Sequence, residues 1–207
     1  MTANDITAPA ARRMFVFLLI LTVASRLWGF KDGGTLINNF AVEIGHLDGF
    51  EMGLVQSIRE IPGFLALLVI YLLLFISEHR LGVLSVLIMG VGVAMTGFLP
   101  TTHGIILTTL IMSFGFHYYE TVNQSLTLQY FDHAMALFVF GRLRSMGAAT
   151  DIAVGLLILL LSRWLGYTQL FVGLGGVAIA AGLWCLTLRG SAGGCISAAV
   201  AMYSRTA

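Results

Sequence analysis

Two stretches of the chain run for a full membrane-crossing length without a charged residue: Leu81 to Leu99 and Thr168 to Leu188. An α-helix rises about 1.5 Å per residue, so about 20 apolar residues cross the hydrocarbon layer of a bilayer. No water reaches that layer to satisfy backbone N–H and C=O groups, and runs of this kind are therefore read as helices. The remainder of the chain has the same character, with 58% hydrophobic and 10% charged residues, where a soluble domain carries about a quarter charged. At about 20 residues per span plus short connections, 207 residues accommodate about six spans. The balance of 11 Lys+Arg against 10 Asp+Glu leaves a net charge of +1, too little to bind a polyanion, which excludes nucleic acid as a main partner. Cys185 and Cys195 have no spacing that indicates a disulfide framework, a zinc site or a redox motif. No cofactor or metal is expected.

The polar residues that separate the apolar runs give the expected boundaries. Residues 1–13 form a polar tail ending in Arg12-Arg13, followed by span one from Met14 to Phe30. That run is too long for the apolar part of a signal peptide. Weaker apolar character after Gly33-Gly34 implies that span one is long and broken at the glycines. Span two runs from Gly49 to about Ile76, interrupted by Arg59-Glu60 and kinked at Pro62-Gly63. Span three is Leu81 to Leu99, and span four runs from Gly104 to about Tyr130. A connection containing Asp132, His133, Arg142 and Arg144 leads to span five, from about Ser145 to Leu161. Span six covers about Thr168 to Leu188.

Alternate connections lie on one side of a membrane. Arg12, Arg13, Arg80, Arg142, Arg144 and Arg189 fall on one side, and Lys31 and Arg163, with Arg26 ambiguous, on the other. The positive-inside rule then places both termini in the cytoplasm. An integral, multi-pass protein of a bacterial inner membrane is expected, with the lipid bilayer as its first partner. Trp28, Trp164 and Tyr167 fall near the expected outer ends.

Charges inside a membrane are costly unless they face a partner or a wet cavity. Span one carries Arg26, span two Arg59 and Glu60, span four Glu120 and span five Asp151, whereas spans three and six are clean. Two polar spans followed by a clean one, twice over, is a three-helix period of the kind found in secondary transporters. In span four, Ser113, His117, Glu120, Gln124 and Thr127 recur at steps of three and four and so share one helical face. Tyr118, Tyr119, Thr121 and Asn123 widen that stripe. Glu120 falls roughly 15 Å, and Asp151 about 10 Å, from the cytoplasmic ends of their spans. At a shared level, one of the two carboxylates would hold a proton. Arg26, Arg59 and Glu60 are expected to occupy the other half of the cavity. Arg59 and Glu60 point about 100° apart, an arrangement that favours separate partners on other helices. Each of these charges also has a structural reading as a buried pair fixing helix register, and His117 as a satisfied interior histidine. Asp151 with Arg142 and Arg144 has a second reading as a cytoplasmic-gate salt bridge. Gly90, Gly92, Ala94 and Gly97 in span three and Gly173, Gly175, Gly176, Ala180, Ala181 and Gly182 in span six provide surfaces for close helix contact.

The segment Asn39-Phe40-Ala41-Val42-Glu43-Ile44, followed by Gly49-Phe50-Glu51-Met52-Gly53-Leu54-Val55-Gln56-Ser57, resembles the passage from helix one into helix two of major facilitator superfamily transporters. Leu165-Gly166-Tyr167-Thr168-Gln169-Leu170-Phe171 resembles that family's turn into helix six. The similarity extends over about Met14 to Leu188 and implies an all-α membrane protein of six transmembrane helices, built as two three-helix repeats. In that family helices one, two, four and five line the cavity and three and six are peripheral. The family's loop signal Gly-x-x-x-Asp-Arg-x-Gly-Arg-Arg is degenerate here, as Ser77-Glu78-His79-Arg80-Leu81-Gly82, which makes Glu78 and Arg80 the gating candidates. Complete family members have twelve helices in two halves, so a second six-helix half is the expected partner. The Gly/Ala/Ser-rich segment 189–207 reads as the product of a truncation or frameshift.

The expected activity is secondary transport of a small solute by alternating access, with a proton as the coupling ion. Arg26 and Arg59 would be anion or gating contacts, Glu60, Glu120 and Asp151 proton-coupling groups, and His117, Asn123 and Gln124 hydrogen-bonding groups for the solute. The alternative is a self-sufficient six-helix scaffold or intramembrane enzyme. An enzyme is disfavoured because no Gly-x-Ser-x-Gly elbow is present and His117-x-x-Glu120 alone is too few ligands for a catalytic metal.

Overall fold

The computed structural model describes residues 9–27 and 35–187. The sequence readings that involve Trp28, Lys31, Asp32, Arg189, Cys195 and the segment 189–207 lie outside the described residues. Those described form helices α1 (Pro9–Arg26), α2 (Thr35–Glu43), α3 (Gly49–Leu65), α4 (Val69–Leu73), α5 (Glu78–Thr96), α6 (Thr102–Tyr130), α7 (His133–Leu161) and α8 (Tyr167–Thr187). No strand occurs among them. A 3-10 turn over Ala66–Leu68 joins α3 to α4. Gly49–Leu73, Glu78–Thr96, His133–Leu161 and Tyr167–Thr187 are each long and apolar enough to cross a membrane.

Local chemistry explains where these helices start. Asp48 caps α3 by accepting from the Glu51 N–H at 2.8 Å, and Glu51 returns the bond to the Asp48 N–H at 3.1 Å, a reciprocal capping box. The second Glu51 oxygen accepts from Thr102 Oγ1 at 2.9 Å, tying the start of α3 to the start of α6. Thr101 caps α6 through the Gly104 N–H, and Asp132 caps α7 through the Met135 N–H. The expected connection before span five is therefore corrected: the helix begins at His133 and runs straight through Arg142 and Arg144. Arginine is a good helix former, as are Ala134, Met135, Ala136 and Leu137, which carry the helix on from its cap. Charge alone was a poor marker of a loop.

Pro62 remains inside α3. Regular α-helical bonding gives way only at Ala66–Leu68, just beyond the Pro-Gly pair, so the expected interruption is spread over the following turn.

The packed centre is α5, which lies against α6 on one side and α8 on the other. It is the most buried of the four apolar spans. Glycine is the reason. A Cβ at Gly115 of α6 would lie 2.5 Å from the Ser85 carbonyl oxygen, and one at Gly175 of α8 equally close to that of Gly90. Backbones at this separation admit no side chain between them. Gly173 and Gly176 meet nothing, so only one face of the span-six glycines serves contact. Hydroxyls in this core bond back into their own helices: Ser85 to Leu81, Thr96 to Gly92 and Thr108 to Gly104, which satisfies them without water. From α1, Phe17, Leu18, Leu21, Ala24 and Ser25 are buried at the spacing of one helical face.

Candidate functional site

α7 packs chiefly against α1 and only lightly against α6. The gap left among α1, α6 and α7 is a cavity of about 40 Å³, room for about three water molecules. α1 supplies Thr22, Ser25 and Arg26 to its wall. α6 supplies Glu120, Asn123 and Gln124 with the rings of Phe116 and Tyr119, and α7 supplies Arg144 with Phe140 and Leu143. The fold thus brings Arg26, Glu120, Asn123, Gln124 and Arg144 together from three helices.

Arg26 is the centre of this arrangement. Its Nη1 lies 3.4 Å from Asp151 Oδ2 of α7. The arginine side chain is only 13% exposed and the carboxylate 37%, so the cation sits inside and its counter-ion nearer the edge. Gly147, one helical turn before Asp151, makes room for this reach: a Cβ there would lie 3.0 Å from Arg26 Nε. The same guanidinium nitrogen is buried and has no hydrogen-bond partner, as is Asn123 Oδ1. Glu120, half-buried on the same wall, makes no ion pair or hydrogen bond among the described residues. Thr22 Oγ1 and the Tyr119 hydroxyl are 2.7 Å apart, joining α1 to α6 at the cavity wall. Neither Gly147 nor the Thr22–Tyr119 bond is legible from sequence, because each depends on which helices are neighbours.

The polar stripe of α6 is shared between two neighbours. Its first half faces α3: Ser113 Oγ donates to the Arg59 carbonyl oxygen, and the His117 ring lies against Gly63, whose Cβ would be 3.1 Å from it. His117 thus takes the interior packing position, with Phe116 at a ring-centroid distance of 5.4 Å, and does not line the cavity. Only the second half of the stripe reaches α1 and α7.

Arg59 and Glu60 depart from expectation. They pair with each other, Arg59 Nη2 to Glu60 Oε1 at 2.8 Å, and neither lines the cavity. The divergence of adjacent Cβ bonds is overcome by the length of the arginine side chain, which folds back to its neighbour. Asp151 pairs with Arg26 of α1 across the helices. Arg142 is exposed and stacks over the Phe138 ring at 5.4 Å. Arg80 is exposed at the start of α5. Glu78 Oε1 accepts from Ser125 Oγ and from Gln129 Nε2, both at 2.8 Å, and so fastens the start of α5 to the end of α6. Its other oxygen, Oε2, is buried without a partner. The His79 ring lies between Phe17 and Tyr130, at centroid distances of 5.5 and 5.7 Å.

Among the described residues no group of three or more His, Cys, Asp or Glu could hold a metal ion. Compared with known protein families, with curated proteins and with solved structures, the chain has no match.

Proposed function

We propose that this chain is a six-span, major-facilitator-like half of a secondary transporter for a small solute, with both termini on the cytoplasmic side of a bacterial inner membrane. In this reading α1 with α2 forms the first span, α3 with α4 the second, and α5 to α8 the remaining four. The observation that carries it is the convergence of Arg26, Glu120, Asn123, Gln124 and Arg144 on one cavity. A scaffold has no need to gather three charged and two amide side chains from three helices around one cavity, because charged groups in an apolar layer are costly unless they serve a partner or a wet site. The exposed apolar faces of α3, α4 and α7, including Phe64, Ile70, Ile152 and Leu160, are left for lipid and for a second six-span half, whose rocking against this one would alternate access. The Arg26–Asp151 pair is the coupling element: protonation of Asp151 would release Arg26 toward the solute.

Thermal melting of the detergent-purified chain against a library of small metabolites tests this reading. A ligand at a hundred times its Kd stabilises by about 2.7 kcal/mol. One chemical class should raise the melting temperature of the native chain and leave Arg26→Met and Glu120→Gln unaffected. If no solute stabilises the chain, or if the stabilisation survives both substitutions, the scaffold reading takes its place.

A further inference from the structure

The exposed polar residues of the spans are gathered on one side. On α5 the exposed residues from Leu81 to Thr96 are Leu84, Ile88, Val91 and Met95, a single apolar stripe at helical spacing. On α8 no charged or amide side chain is exposed from Leu170 to Leu186. The exposed polar side chains are Ser57 and Glu60 of α3, Gln124 of α6, and Arg142, Arg144 and Ser145 of α7. α6 touches both α3 and α7, which share no substantial contact of their own, so the three helices form one face. A charged side chain in hydrocarbon costs several kcal/mol unless it meets a partner or a wet cavity. Lipid therefore suits the side made by α5 and α8, and protein the side made by α3, α6 and α7.

Both flanks of that face carry small residues. On α3, Gly49, Gly53 and Ser57 recur at steps of four and are exposed, away from the buried Val55 and Pro62. On α7, Gly141, Ser145, Ala148 and Gly155 share an exposed face opposite the buried Val139, Leu143 and Val154. A Cβ at any of these four glycines would meet nothing. Small residues at this spacing are surfaces on which membrane helices approach each other closely, and here no described helix of the same chain fills them.

The two stripes lie at one height. Ser113 bonds to Arg59 and His117 packs on Gly63, which sets Ile61 of α3 level with Gly115 of α6. Thr22 bonds to Tyr119, and Arg26, one turn beyond Thr22, packs on Gly147, which sets Gly147 of α7 level with Gly115 as well. Gly53 and Gly155 each lie about 12 Å beyond that level, toward the start of α3 and the end of α7, which are on the same side of the membrane. Glu60 and Arg144 lie within about 6 Å of each other in height, a gap that a glutamate and an arginine side chain bridge together. A two-fold axis along the membrane normal, passing beside α6, sets α3 of each copy antiparallel to α7 of the other. It brings Gly53 opposite Gly155 and the acidic flank opposite the basic one, and symmetry makes each contact twice.

We infer that the face formed by α3, α6 and α7 is a homodimer interface, on which a second copy of this chain docks with its α7 against α3 and its α3 against α7. This rests on the carrier reading only in making the second copy the second six-span half; the contact itself stands on the matched stripes and charges.

The test is disulfide crosslinking of the full chain in the membranes of the cells that express it. Differently tagged Gly53→Cys and Gly155→Cys copies, expressed together, should give a covalent dimer of twice the 22.3 kDa chain, well above the background of the unsubstituted chain under the same oxidant. Gly176→Cys, on α8 with nothing against it, should give none above that background with either copy. Adding Ala148→Leu to the Gly155→Cys copy should abolish the crosslink. Ala148 is exposed in the single chain, so loss of the crosslink with an unchanged helical circular-dichroism signal separates docking from folding. Glu60→Arg in the Gly53→Cys copy sets like charge against Arg144 of the second copy and should lower the crosslinked fraction at least about tenfold. A Gly53–Gly155 crosslink no stronger than that of Gly176→Cys, or one that survives Ala148→Leu, would overturn the homodimer; stabilisation of the chain by a solute would still support the carrier reading. Crosslinking as expected, with no stabilising solute, would overturn the carrier reading and leave the homodimer standing.

Discussion

α5 and α7 are both long apolar helices able to cross a membrane, yet 56% of the apolar window of α5 is buried inside the protein and only 17% of that of α7. The difference lies in their glycines. Gly90 and Gly92 on α5, and Gly97 at its C-cap, each meet a neighbouring helix at a distance that no Cβ could occupy. On α7, Gly141 and Gly155 meet nothing, and Gly147 meets only the side chain of Arg26. Where every residue is apolar, hydrophobicity cannot choose the inside, because lipid tails are as apolar as leucine; close backbone approach makes the choice. α5 is accordingly the fixed element, and α7 the one that borders a cavity and shows its apolar surface outward.

The sharpest way to break this comparison is to fill one gap on each side. Gly115→Leu forces a side chain into the α5 backbone at Ser85 and should cost about 3 kcal/mol, read as a large fall in melting temperature in detergent. Gly155→Leu on α7 should change stability by no more than about 0.5 kcal/mol. Equal losses at the two positions would remove the distinction between the helices.

A smaller effect is expected at the Arg26–Asp151 link between α1 and α7. Arg26→Met leaves Asp151 without its cation and should destabilise by about 2 kcal/mol, less than a fully buried pair because the carboxylate is partly exposed. Adding Asp151→Leu should restore most of that loss, and a double-mutant cycle by denaturant unfolding measures the coupling. Additive losses would mean that the pair does not join the helices.

Within α7, Gly147→Val should cost about 1 kcal/mol through displacement of the Arg26 guanidinium and should impair solute binding more than folding. Gly141→Val, at a position with nothing nearby, should do neither. The smallest effect is at the Arg59–Glu60 pair. Glu60 is 56% exposed, so Glu60→Gln should shift stability by less than about 0.5 kcal/mol in a thermal melt. A larger loss would move that pair into the structural core.

Much of this organisation was legible in the residues themselves. The charge-free runs located α5 and α8, and the spacing of polar residues on α6 marked the helix that supplies most of the cavity wall. Glu120, Asn123, Gln124 and Arg26 were singled out by the cost of placing them in an apolar run, and the fold brings them to one cavity. The readings that needed revision depended on neighbours. Arg142 and Arg144 looked like a connection because a pair of charges near an apolar run resembles a membrane edge, while the Asp132 cap that decides the helix start is a local hydrogen bond. His117 and Glu120 lie on one face, yet α6 crosses α3 at one level and borders α1 and α7 at another, so a single stripe serves packing and cavity in turn.

The sequence by itself determined that the chain forms apolar helices, where most of them start and stop, and which few polar groups they must shelter. Hydropathy and capping are properties of a segment and its immediate neighbours, and a linear reading reaches them. Only the tertiary structure decided that α5 is the centre, that Arg26 meets Asp151 across Gly147, and that Arg59 turns back to Glu60. Those outcomes depend on the distance between backbones of different helices, which is set by interlocking shape, and the order of residues along one helix does not encode it.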